Sequence, residues 1–326
     1  MRLKAAQIVG HRKFDIVDVD TPDISSDPQG TVLIKSYQSA ICGSDMPHFD
    51  LKHPEESYPL SLGLSIHECV GTIADSSSNH FDTGDMVLSI PRKFGLSEYF
   101  VSNESVTIPL PDKSVYSYET DHILMSQPLG TVIWACRKLG NLLHQDTVIV
   151  GQGPMGLLFS HMLSNLGVST VIAIDQLDYR LSISKQMRAT YVVNSKTENP
   201  VEIVKEITNG KMADLVVEMV GHQTETINDC LDLVKRGGTI LAFGVPDDNN
   251  YNFRYGDFFR RNIHLISTVG PEELKDYPLA MDFIVQGRIN VSPIITHHLP
   301  FSEVQRGFDL FSYRQDEAVK VVFDFD

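Results

Sequence analysis

The sequence predicts an α/β protein in two parts: a β-rich part built from both chain ends, and a doubly wound parallel sheet inserted between them. Three observations carry this. From residue 147 onward, apolar strand-like runs alternate with helix-like stretches, the pattern of parallel strands joined by helical crossovers. The first 120 residues instead hold short β runs separated by Gly, Pro, Asp and Ser clusters. The last 56 residues (326 − 270) carry too few elements for a domain of their own, so they return to the N-terminal part. A length of 326 residues also exceeds what one hydrophobic core usually serves.

In chain order, TVLIKSY (31–37), MVLSI (86–90) and SEYFVS (97–102) read as strands. Residues 121–143, with LGTVIWACRKLGNLL, take on helical spacing. The alternating part follows: TVIVG as a strand, PMGLLFSHMLSNLG as a helix, then TVIAID, DYRLSISKQMRA, YVVN, PVEIVKEITNG, DLVVEMVG, TETINDCLDLVKRGG and TILAFGVP in turn. NIHLISTVG (262–270) is the last strand expected in this sheet. Helix patterns at 272–286 and near 302–311 and a terminal strand AVKVVFDF complete the chain. The domains expected are 1–125 with 271–326, and 126–270.

A net charge of −15 and a pI near 5.2 argue against nucleic acid or an anionic membrane as partner, because both need a basic face. The N-terminal stretch lacks the pattern of a secretory signal, and no apolar run is long and unbroken enough to span a bilayer. Cys42, Cys69, Cys136 and Cys230 are scattered without a CxxC pair, so a disulfide framework is not expected and a reduced, cytoplasmic location is.

GQGPMG (151–156) ends one strand and opens the next helix, the context in which a GxGxxG motif binds a dinucleotide. Gly151 allows the tight turn, Gly153 lets backbone approach a pyrophosphate, and Gly156 lets helix and strand pack closely. The helix opening at Pro154 and Met155 offers its N-terminal dipole to the phosphates. Asp175 ends the second strand, 175 − 156 = 19 positions past the last glycine, where a carboxylate accepts the ribose hydroxyls and repels a 2′-phosphate. The part is a Rossmann domain that favours NAD over NADP, with Arg180 as the reservation.

AICGSDMPHF (40–49) gathers a cysteine, a serine, an aspartate and a histidine. By itself it fits a metal site or a buried thiol beside a polar turn. Partners appear when ICGSD (41–45), IHECVG (66–71), GDMV (84–87), QPLGTV (127–132), VIVGQGPMGLL (148–158) and GGTILAFG (237–244) are taken together. In this order the chain resembles the medium-chain dehydrogenase/reductase superfamily, in its zinc-dependent alcohol and polyol branch of sorbitol, threonine and glucose dehydrogenases. The resemblance implies a GroES-like catalytic domain from both chain ends, and one catalytic zinc held by Cys42, His67 and Glu68, with Gln127 beside it. Ser44 matches the hydroxyl that receives the substrate proton. Lys320 matches a basic position that contacts cofactor phosphate. Asp45 is a group that orients the site.

The sequence departs from the family pattern at several points. Ile66 stands where a glycine usually precedes His67, so its backbone must be accommodated without glycine freedom. Gln127 replaces a glutamate and is neutral. Pro47 occupies the relay-histidine position, which leaves His48 as a pocket residue. No four-cysteine lobe interrupts SIPRKFGLSEYF, so no structural zinc is expected. Arg92 and Lys93 in that loop suit an anion or a solvated turn. His161, His264, His297 and His298 are expected in packing or surface roles.

The expected reaction is reversible oxidation of a secondary alcohol of sugar, polyol or cyclitol type with NAD, on a small-molecule alcohol or ketone. The alternatives are a metal-free quinone or enone reductase of the same superfamily, and a non-catalytic NAD-binding protein. NIHLIST offers an apolar edge strand for a homodimer or homotetramer.

Overall fold

A computed structural model describes residues 2–63, 66–221, 223–246 and 248–326. The chain forms two compact units, Met1–Gly130 with Glu272–Asp326, and Thr131–Pro271. The first unit runs on through Gly130 rather than ending at 125. Gly130 lies against the later segment: a Cβ there would sit 2.4 Å from the ring of Tyr277. No helix among the described residues is long and apolar enough to cross a membrane.

The first unit opens with a hairpin, β1 (Arg2–Gly10) and β2 (Lys13–Asp20). There follow β3 (Thr31–Ala40), a short helix α1 (Met46–Asp50), β4 (Glu68–Ser76), β5 (Met86–Ser89), β6 (Tyr99–Asn103) and β7 (Thr107–Pro109). Helices α2 (Thr120–Leu124) and α3 (Ser126–Arg137) lead out of it. The second unit alternates as β8 (Asp146–Val150), α4 (Pro154–Asn165), β9 (Thr170–Asp175), α5 (Asp178–Gln186), β10 (Tyr191–Asn194), α6 (Pro200–Ile207) and β11 (Ala213–Glu218). It ends with α7 (Thr226–Leu233), β12 (Val234–Ala242), α8 (Tyr255–Arg260) and β13 (His264–Ser267). The chain then rejoins the first unit as α9 (Glu273–Val285), β14 (Ile295–Pro300), α10 (Val304–Tyr313) and β15 (Lys320–Asp324).

The second unit's sheet is parallel, in the order β10-β9-β8-β11-β12-β13. The order reverses between β8 and β11, and ligands of such sheets bind beyond the carboxyl ends of the strands at that point. Gly151 directly follows the end of β8 and Asp175 ends β9. One helix ends earlier than its pattern indicated. Val234 is already extended, at φ −87° and ψ 142°, and pairs with Ala213 in the sheet.

In the first unit, β14-β15-β3-β4-β5-β7 form one sheet, with β6 also on β3. The C-terminal strand is stitched in directly: Val322 of β15 pairs antiparallel with Ala40 of β3. Strand β14 escaped the sequence reading, since ITHHLP shows no clean alternation; its parallel partner β15 makes it a strand. Phe49 of α1 is fully buried. It lies 5.6 Å from Phe14 and 5.3 Å from Phe308 between ring centroids, so α1 is anchored to both chain ends.

Candidate metal centre and glycine turn

Two strand ends build the first constellation. Ala40, the last residue of β3, pairs with Glu68, the first of β4. Cys42 therefore follows one strand end and His67 precedes the neighbouring one. Ligand atoms of Cys42, His67 and Glu68 all lie within 4.8 Å of one another. Thiolate, imidazole and carboxylate ligands on a tetrahedral zinc, with bonds of ~2.0–2.3 Å, stand roughly 3.3–3.7 Å apart. The donor types and spacing fit that ion with small closing movements.

Asp45 is the hub of this site. Its buried carboxylate accepts the Cys42 N–H at 2.7 Å and the Ile66 N–H at 3.0 Å, and hydrogen-bonds His67 Nδ1 at 2.9 Å. That leaves Nε2 of His67 as the ring's ligand atom. Burial pushes the Asp45 carboxyl up, but the His67 ring and the two N–H donors outweigh it and hold the group below its usual value. Burial lowers the His67 ring, yet Asp45 and Cys42 raise it well above its ordinary value. An imidazole ligand binds metal in its neutral form, so metal uptake here competes with protons and weakens as pH falls.

Ile66 adopts φ 89° while only 4% exposed. A β-branched residue in that region is strained by roughly 1–3 kcal/mol. The bond to Asp45 and a side chain set in the hydrophobic core hold it there.

Lys320, expected at a cofactor phosphate, is turned inward onto Glu68. It is 1% exposed, and its Nζ lies 2.7 Å from one Glu68 carboxylate oxygen and 2.6 Å from the other, with the Ile41 carbonyl at 3.0 Å. The pairing of Val322 with Ala40 places Lys320 beside the turn that follows β3, which turns its side chain inward. Burial raises the Glu68 carboxyl, and Lys320 offsets part of that shift.

Ser44 is exposed, and its hydroxyl donates to the Cys42 sulfur at 3.4 Å. His48 is half-buried on α1. Gln127, in the first turn of α3, is 8% exposed and its Nε2 donates to the Tyr277 hydroxyl at 3.2 Å. Arg92 is exposed, and its neighbour Lys93 pairs with Asp27 at 3.6 Å, which favours the solvated turn over an anion pocket. His298 is more engaged than expected: Nε2 faces Asp121 at 3.1 Å and Nδ1 faces Asp324 at 3.3 Å. His297 faces Asp316, His161 is buried beside Asn165, and His264 is exposed.

The glycine turn follows β8. Gly151 has φ 97°, and a Cβ on Gly156 would sit 2.0 Å from the Gly151 carbonyl oxygen. A Cβ on Gly153 would meet nothing within 4 Å, an open approach of the kind a pyrophosphate needs. Pro154 has no N–H, so α4 presents the first-turn amides of Met155 and Gly156. Asp175 accepts the N–H groups of Gln176 and Leu177 on one oxygen, at 2.7 and 2.9 Å, and that of Gln152 on the other, at 2.7 Å. Arg180 lies 3.8 Å from that second oxygen. An ionised carboxylate has about four acceptor positions, so one remains for a ribose hydroxyl. These residues fit an adenine dinucleotide. Sequence reasoning missed Tyr277 and Gln152; the glutamine inside the glycine turn was the available signal for the second.

Comparison with known proteins bears on both constellations. Residues 28–112 match the family profile described as alcohol dehydrogenase GroES-like domain, and residues 154–286 match zinc-binding dehydrogenase. The chain is 24% identical over 330 residues to an L-threonine 3-dehydrogenase of Bacillus velezensis, covering 94% of this chain and 93% of that one. It is 25% identical over 356 residues to a D-arabitol-phosphate dehydrogenase of Enterococcus avium, covering 99% and 97%. The solved structure of an alcohol dehydrogenase from Thermus sp. ATN1 shares the fold, with a TM-score of 0.85 at 23% identity over 99% of this chain and 100% of that one.

Proposed function

Given that the chain belongs to the zinc-type alcohol dehydrogenases of the medium-chain dehydrogenase/reductase superfamily, and so is an oxidoreductase of small molecules, we propose a specific reaction. It is the reversible oxidation of a secondary alcohol of sugar, polyol or cyclitol type, dependent on one zinc and on NAD. The observation that carries this reading is the Cys42, His67 and Glu68 donor set. A metal-free quinone or enone reductase has no use for it, and neither does a non-catalytic NAD-binding protein.

When bound, zinc supplies a Lewis acid to the substrate hydroxyl and NAD supplies the hydride acceptor. The chain's own residues do the rest. Cys42 and His67 hold the metal, with Glu68 and Gln127 as further candidates. Asp45 fixes the tautomer and direction of His67. Ser44, exposed beside Cys42, takes the proton that leaves the substrate hydroxyl and passes its own to solvent, with His48 as a pocket residue. The Gly151–Gly156 turn and the α4 amides bind the pyrophosphate. Asp175 binds the ribose and disfavours a 2′-phosphate, with Arg180 partly offsetting that preference.

The substrate class rests on the neutral Gln127, on Glu68, and on relatives whose names carry a polyol phosphate and threonine, each bearing a secondary hydroxyl. In the proposed division of labour, the chain ends form the catalytic part and the middle segment binds the cofactor. Leu265 and Val269, 44% and 87% exposed on and just after edge strand β13, support a homodimer or homotetramer. Four free thiols support a cytoplasmic location.

The test is metal content by mass spectrometry on protein purified without chelator, wild type beside Cys42→Ala, followed by a polyol screen with NAD. About one zinc per chain, lost in the variant, is the expected result. Protein that takes up no zinc even when it is added back overturns the reading in favour of the metal-free reductase.

A further inference from the structure

Gln152 lies inside the glycine turn, between Gly151 and Gly153, and is 0% exposed. A buried amide must find partners for its oxygen and its nitrogen, and this one does so across four elements. Its Oε1 accepts the hydroxyls of Ser160 on α4 and Ser184 on α5, at 3.0 and 2.9 Å. Its Nε2 donates to the Gly151 carbonyl at 3.1 Å and to the Ile149 carbonyl of β8 at 3.4 Å. Its backbone N–H donates to Asp175 at the end of β9, at 2.7 Å.

The peptide between Gly151 and Gln152 is therefore held on both edges. The Gln152 side chain holds its carbonyl, and the ribose carboxylate holds its N–H. Gly151, at φ 97°, restrains that plane little by itself. The plane fixes where Gly153 and the first-turn amides of α4 lie, and it fixes the direction of the Asp175 carboxylate.

We propose that Gln152 is the positioning residue of the dinucleotide site, tying the phosphate turn to the ribose carboxylate. The proposal rests on reading the turn as an NAD site. Its effect falls on binding more than on folding. Ser160 and Ser184 also lie 3.1 and 2.8 Å from the carbonyls of Gly156 and Arg180 in their own helices. Replacing Gln152 by leucine thus strands neither hydroxyl, and it fills a similar volume.

The experiment is calorimetric titration of wild type and Gln152→Leu with NAD and with ADP-ribose, well below the melting temperature. Kd for both ligands rises together by about tenfold, the net worth of one or two hydrogen bonds. A purely structural role lowers Tm without moving either Kd. The double variant Ser160→Ala with Ser184→Ala, which removes both donors to Oε1, weakens both ligands by roughly threefold. It decides the matter if Gln152→Leu does not fold. Variants that bind both ligands as tightly as wild type overturn the inference alone. A wild type that binds neither ligand overturns the reading of the turn along with it.

Discussion

Replacing Lys320 by methionine isolates the buried pair behind the candidate metal ligands. The two side chains are 1% and 0% exposed, so the pair is screened by protein alone. Methionine keeps most of the lysine's volume and removes only its charge, so no cavity term enters. Removing one partner of such a pair costs about 3–5 kcal/mol, because the other charge stays buried and unpaired. The Ile41 carbonyl loses a donor as well. Glu68 limits the loss by taking up a proton. Burial already raises its carboxyl and Lys320 pulls it back; without the lysine it titrates higher still. A carboxyl whose folded pKa exceeds its unfolded value destabilises the fold above the unfolded pKa, and increasingly so as pH rises toward the folded one. Urea unfolding of metal-free protein should therefore show a loss of about 3–5 kcal/mol near pH 8 and a clearly smaller one near pH 5.5. Adding Glu68→Met should restore most of it, since an apolar pair of similar size is often neutral. A loss under about 1 kcal/mol near pH 8, or one that does not change with pH, would refute the reasoning.

Three further perturbations address other parts of the structure. Asp45→Asn disturbs the clamp on Cys42, Ile66 and His67 and should weaken zinc by about 10–100-fold in competition with a chelator; unchanged affinity would show that Asp45 does not orient the ligands. Gly156→Ala places a Cβ 2.0 Å from the rigid Gly151 carbonyl. It should cost about 1–3 kcal/mol in thermal or urea unfolding and weaken NAD, and a variant as stable as wild type means the turn yields freely. Burial, aided by Arg188, pulls His161 down to about 4 from 6.5, so the unfolded chain binds its proton first and stability falls as pH drops through that window. His161→Met should remove up to about 3 kcal/mol of that acid loss; an unchanged slope between those pH values would count against a buried neutral histidine.

The sheet of the second unit and its glycine turn were legible because their signals are local. Apolar runs, helical spacing and GQGPMG each lie within a few residues. The carboxylate of Asp175 was readable from spacing, but the part played by Gln152 was not, since its backbone N–H meets Asp175 23 positions away and its side chain meets serines 8 and 32 positions away. The β14 strand was hidden because ITHHLP becomes a strand through β15 rather than through its own pattern.

What the sequence determined by itself was the type of each chemical group: a thiol at Cys42, an imidazole at His67, a carboxylate at Glu68, and a non-glycine at position 66. Family resemblance then gave these groups roles. Only the tertiary structure decided which of them meet and what each one faces. The pairing of Ala40 with Glu68 brings the two strand ends together, and the pairing of Val322 with Ala40 turns Lys320 onto Glu68. The physical reason is that register across a sheet joins residues hundreds of positions apart, whereas a sequence motif specifies only its neighbours.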